Sequence, residues 1–69
     1  MHMEKTFAEI LSELMKKHSF TQKVLADKLG VKQSQVSNWL LSKSMPGYNS
    51  LRALSRTFNV KPELLLGLA

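Results

Sequence analysis

The stretch TQKVLADKLGVKQSQVSNWL, residues 21–40, places apolar residues at two helical phases on either side of one glycine. Before Gly30, Leu25, Ala26 and Leu29 share the inner face of a helix that Thr21 can cap through its hydroxyl. After it, Val36, Trp39 and Leu40 make the buried side of a second helix that starts at Gln33. Glycine enters the left-handed region without a Cβ penalty, so Gly30-Val31-Lys32 can turn the chain sharply and restart it. Two short helices joined by a three-residue turn form a helix-turn-helix, and the small Ala26 lets the second helix cross close to the first.

Helical periodicity continues on both sides of this stretch. Phe7, Ile10, Leu11, Leu14 and Met15 form one apolar stripe on a helix over roughly residues 4–17, with Glu9 and Glu13 on its opposite face as ordinary surface carboxylates. Lys43-Ser44-Met45-Pro46-Gly47 reads as a loop, because proline and glycine are adjacent there. A fourth helix is expected from Tyr48 to Phe58, burying Leu51, Leu54 and Phe58, with Gly47 as a permissive N-cap. A short fifth begins at Pro62, whose missing N–H suits a first helical position, and ends at Gly67. The fold class is therefore all-α: five helices in one domain over residues 1–69, with the helix-turn-helix at helices 2 and 3. Met1-His2-Met3 reads as a cloning remnant or disordered start, and His2 is given no role.

A chain of 69 residues can bury one small core but cannot enclose a large substrate cavity. It has no cysteine, hence no disulfide and no thiolate metal site, and no apolar run of bilayer length, so a soluble, cytoplasmic protein without cofactor or metal is expected. The net charge is +5, but its distribution says more. From Leu14 to Pro62 nine Lys and Arg face one acid, Asp27, whereas residues 1–13 hold Glu4, Glu9 and Glu13 against Lys5. That skew fits a polyanionic partner or a solvated basic surface, and charge alone does not choose. Trp39, three residues from Val36, is assigned to the core rather than to base stacking, and His18 to the C-terminus of the first helix.

From about Phe7 to Gly67 the sequence resembles the phage-repressor and Cro-type helix-turn-helix family, also called the xenobiotic-response-element family. The matching elements are Thr21-Gln22 before Leu25-Ala26, Leu29-Gly30-Val31, Val36-Ser37-Asn38-Trp39-Leu40, Lys43, Pro46, Phe58-Asn59-Val60 and Leu64-Leu65-Leu66-Gly67. Each is weak by itself, but their order and spacing together are specific. Three positions depart from the family pattern: Val24 replaces a Glu that completes a capping box, Lys32 replaces a Ser or Thr N-cap, and Ser42 stands where glycine is frequent. The resemblance implies a five-helix DNA-binding domain of bacteria or phages, acting as a sequence-specific regulator of the repressor kind.

An α-helix fits the major groove, and the first residues of a recognition helix lie closest to the base edges. Here these are Lys32, Gln33, Ser34, Ser37 and Asn38. Gln and Asn can pair bidentately with adenine, Lys can donate to guanine, and Ser is permissive. Phosphate contacts are expected from Thr21, Gln22, Lys23, Gln35, Lys43 and Tyr48, with the role of Gln22 resting on the resemblance. At the C-terminal end Leu64 and Leu66 are expected to pack inward, leaving Pro62, Leu65 and Leu68 as a self-complementary patch for a homodimer on a palindromic operator. A DNA-binding antitoxin with a toxin partner, and the DNA-binding part of a longer repressor with a missing C-terminal domain, remain alternatives. An enzyme is the least supported class, since the sequence shows neither a nucleophile with its base nor a phosphate loop.

Overall fold

A computed structural model describes residues 5–68, so the reading of Met1-His2-Met3 lies outside the described residues. Five helices follow in order: α1 (Phe7–Lys17), α2 (Gln22–Leu29), α3 (Gln33–Leu40), α4 (Tyr48–Phe58) and α5 (Pro62–Leu65). No strand occurs among the described residues.

α1 begins at Phe7 rather than near residue 4, and the cause is local. Thr6 is its N-cap: the hydroxyl accepts from the Glu9 amide at 3.2 Å, and the Glu9 carboxylate accepts from the Thr6 amide at 2.9 Å. This reciprocal pair is a capping box, which satisfies two of the helix's otherwise unpaired donors. The hydrogen bonds from the Thr6 backbone, then from its side chain, hold the Glu9 carboxyl below the usual carboxylate range. Glu9 is thus a capping group, not an ordinary surface acid. Glu13, further along the polar face, accepts from Lys5 at 2.7 Å.

Every helix contributes to one core. Leu11 of α1, Leu25 of α2, Val36 and Trp39 of α3, Leu54 of α4 and Leu65 of α5 are buried, with Phe7, Ile10, Met15, Ala26 and Phe58 around them. Burying each large side chain is worth roughly 1.5–3 kcal/mol, so α3 is held mainly by its apolar back. α2 and α3 pack directly, α1 lies against α3 and α5, and α4 bridges α2 and α5. Ala26, 2% exposed, is the small residue that the close crossing of α2 and α3 requires.

Gly30 ends α2 in the left-handed conformation at φ 70°, and the following Val31 amide donates back to the Ala26 carbonyl at 3.0 Å. Ser42, after α3, adopts φ 59° and Asn59, after α4, φ 54°. Ser42 therefore occupies the strained backbone that explains the frequent glycine there, and asparagine is the residue that tolerates it at Asn59. His18 caps the C-terminus of α1, but it does more: its ring lies 5.6 Å from that of Phe20 and 5.2 Å from that of Phe58, joining α1 to α4.

The C-terminal leucines correct the expected pattern. α5 is a single turn, and packing against α1 and α4 turns Leu65 fully inward. Its neighbours, about 100° away on either side, are consequently turned out: Leu64 is 37% and Leu66 42% exposed. Leu65 cannot belong to a surface patch, whereas Pro62 and Leu68 are exposed as expected.

Candidate nucleic-acid interface

α3 presents one anchored face and one open face. Val36 and Trp39 are buried and Leu40 half-buried, while Lys32, Gln33, Ser34 and Gln35 are exposed in succession at its start. Ser37 and Asn38 are half-buried on the next turn. At 100° per residue Ser34 lies opposite the Val36–Trp39 side, Ser37 and Asn38 flank it, and Gln33 and Gln35 stand at the two edges. Gln33, Ser34, Ser37 and Asn38, four of the five residues expected to face bases, thus share one outward surface, and Lys32 precedes it as the exposed N-cap. Leu41, which closes α3 and is 61% exposed, continues it by a further turn.

The start of α3 carries no side-chain cap, because Lys32 holds the N-cap position and makes no capping hydrogen bond. A lysine side chain has three donors and no acceptor, and the Gln35 amide donates to the Lys32 carbonyl at 3.0 Å, so the Gln33 and Ser34 N–H groups keep their capacity for an external acceptor. α2 starts differently: the Thr21 hydroxyl accepts from the Val24 amide at 3.1 Å, but Val24 has nothing to return. Gln22 is half-buried, and the Lys23 ammonium lies 3.6 Å from the Asp27 carboxylate on the exposed side of α2. In the α3–α4 loop the Lys43 amide donates to the Asn38 carbonyl at 2.9 Å, which ties the loop to α3 while its ammonium-bearing side chain stays exposed. Tyr48, the first residue of α4, is 73% exposed.

The basic charge divides into three groups, the first being Lys5 and Lys23, each beside a carboxylate. Lys16, Lys17, Lys28 and Arg56 lie in the last turns of α1, α2 and α4, where cations complement the helix macrodipole. Their positions have a structural account without any ligand. Lys32, Lys43, Arg52 and Lys61 do not, and among the described residues none of them pairs with a carboxylate. Nor do three His, Cys, Asp or Glu among the described residues gather closely enough to hold a metal ion, and no helix is long and apolar enough to cross a membrane.

An all-α domain whose second and third helices cross over a tight glycine turn, with an open polar face on the third, is a helix-turn-helix domain. The chain belongs to the helix-turn-helix family of the Cro and repressor type, whose profile matches residues 11–65. Among solved structures it is similar to the P22 c2 repressor in complex with a synthetic operator, at 28% identity and a TM-score of 0.88, covering 94% of this chain and 98% of that one. The solution structure of the DNA-binding domain of the same repressor matches at 27% identity and a TM-score of 0.86, over 96% of this chain and 87% of that one. A transcriptional regulator from Listeria innocua matches at 27% identity and a TM-score of 0.87 over 97% of this chain. The chain spans 63% of the length of that regulator. No curated protein sequence matches the chain significantly.

Proposed function

We propose that the protein is a DNA-binding transcriptional regulator, acting as a repressor, that reads the major groove with the outward face of α3. The observation that carries this reading is the unbroken exposed run Lys32-Gln33-Ser34-Gln35 on a helix anchored from behind by Val36 and Trp39. Rigid backing is what base readout needs, since the donors and acceptors of the groove reward fixed geometry. Lys32, Gln33, Ser34, Ser37 and Asn38 are assigned to bases, and Thr21, Gln22, Lys23, Gln35, Lys43 and Tyr48 to phosphates. The operator complex of the similar P22 c2 repressor supports double-stranded DNA as the ligand.

A homodimer on a palindromic site is part of the proposal. Its patch consists of Pro62, Leu64, Leu66 and Leu68, all exposed, with Leu65 removed from it. A two-fold pair would set two copies of α3 about 34–36 Å apart, one turn of DNA. Selection from a random duplex library, followed by titration at several salt concentrations, tests both statements. A palindrome bound cooperatively with a log–log salt slope near −5, for roughly six phosphate contacts per dimer, is expected. Recovery of no sequence, or a flat salt dependence, would defeat the assignment.

A further inference from the structure

We propose that Tyr48 and Arg52 form a backbone clamp that holds DNA phosphates outside the base pairs read by α3. The proposal rests on the function above and adds a contact and a residue to it.

Arg52 lies on the solvent side of α4, opposite the buried Leu54 and Phe58. It is not in the last turn, so the macrodipole does not explain it, and it has no carboxylate partner among the described residues. Its guanidinium carbon sits 5.6 Å from the centre of the Tyr48 ring. Helical side chains lean toward the N-terminus of their helix, and Arg52 follows that rule by folding back over the residue one turn earlier. The charge is therefore delivered to the start of α4, where the chain arrives from α3 through the loop bearing Lys43.

An exposed tyrosine below an arginine does two things. The ring restricts the long side chain to fewer rotamers, so less entropy is lost when an anion is bound, and it leaves the planar fork of N–H donors free at its edge. A phosphate diester accepts such a fork bidentately. Tyr48 adds a hydroxyl donor of its own. A lone lysine would supply the charge without the plane, which makes the pair more specific than a solvated basic face.

The experiment compares binding of the wild type, Arg52→Gln, Arg52→Lys and Tyr48→Leu to the recovered site in a long duplex and in one trimmed to the base pairs that α3 covers. Wild type is expected to gain from the flanks. Arg52→Gln should lose about 5-fold on the long duplex and little on the trimmed one, with the salt slope shallower by about 0.9 per protomer. Arg52→Lys should recover part of the loss, and Tyr48→Leu should weaken the long duplex with an unchanged charge. Thermal melts should coincide, because both side chains are exposed. Equal losses on both duplexes, or none on either, would overturn the clamp while Lys43→Ala still reports whether DNA is bound at all. Failure of wild type to bind any duplex would overturn the clamp and the proposed function together.

Discussion

Thr6 and Lys32 hold the same place at the starts of α1 and α3, both with φ of −76° in extended backbone, and do opposite things there. Thr6 exchanges hydrogen bonds with Glu9 and closes its helix end. Lys32 closes nothing, and α3 depends on Val36 and Trp39 behind it. The first arrangement is what local stability favours; the second sacrifices it at the surface proposed to meet DNA. α4 and α5 also start without a side-chain cap, at Gly47 and Lys61, so α3 is set apart by the open polar face that follows its bare end and not by the bare end alone.

The largest effects should separate the two sides of α3 itself. Trp39→Ala, removing the main anchor, should cost about 3–5 kcal/mol of stability, read as a lowered denaturation midpoint. Gln33→Ala, on the open side, should leave that midpoint alone and cost roughly 1–3 kcal/mol of binding to the preferred site, with relaxed preference at one base position. If Gln33→Ala weakened preferred and random DNA alike, its assignment to a base would be wrong. The middle of the scale tests the comparison directly. Thr6→Ala should lose about 1 kcal/mol of stability without affecting DNA binding, whereas Lys32→Ser should gain about 0.5–1 kcal/mol by restoring a cap and lose affinity. A Lys32→Ser protein with wild-type affinity would show that the open cap serves no ligand.

The smallest effect is the dependence of the α1 cap on acid. The Glu9 carboxyl is held below its ordinary value by Thr6, so its contribution is complete above the unfolded carboxylate range. It is then lost as pH falls through the lower folded value. Melts of wild type and Glu9→Gln should differ near neutrality and converge in acid; a gap that widens there would reject the charge-assisted cap.

Much of this was open to reading in the chain. The glycine stop at Gly30, the start of α3 at Gln33 and the limits of α4 follow from breakers and helical phase, and each appears in the fold as expected. The pattern Thr6-Phe7-Ala8-Glu9 is equally local, but an apolar stripe alone does not locate a helix start and places it three residues early. α5 fails for a different reason. Leu64, Leu65 and Leu66 are chemically equivalent, and a single turn has no periodicity to choose among them, so only the packing of α1 and α4 decides that Leu65 goes inside. The ring of His18 is likewise illegible, since Phe58 is distant in sequence. On the site, phase alone brings Gln33, Ser34, Ser37 and Asn38 onto one face, while the pairing of Arg52 with Tyr48 needs the rotamers.

Gly67 carries a consequence for the order in which the molecule assembles. It has φ 74°, and a Cβ built on it would come within 2.7 Å of the Lys5 carbonyl oxygen, so the last turn of chain lies directly on the approach to α1. Contacts between α2 and α3 are neighbours in sequence and cheap to close, but this one joins nearly the two extremes of the described chain and carries the largest loop-closure entropy. It should form after the folding barrier. Gly67→Ala would then leave the refolding rate almost unchanged and accelerate unfolding, a split that stopped-flow chevrons measure; slower refolding instead would place this latch inside the nucleus.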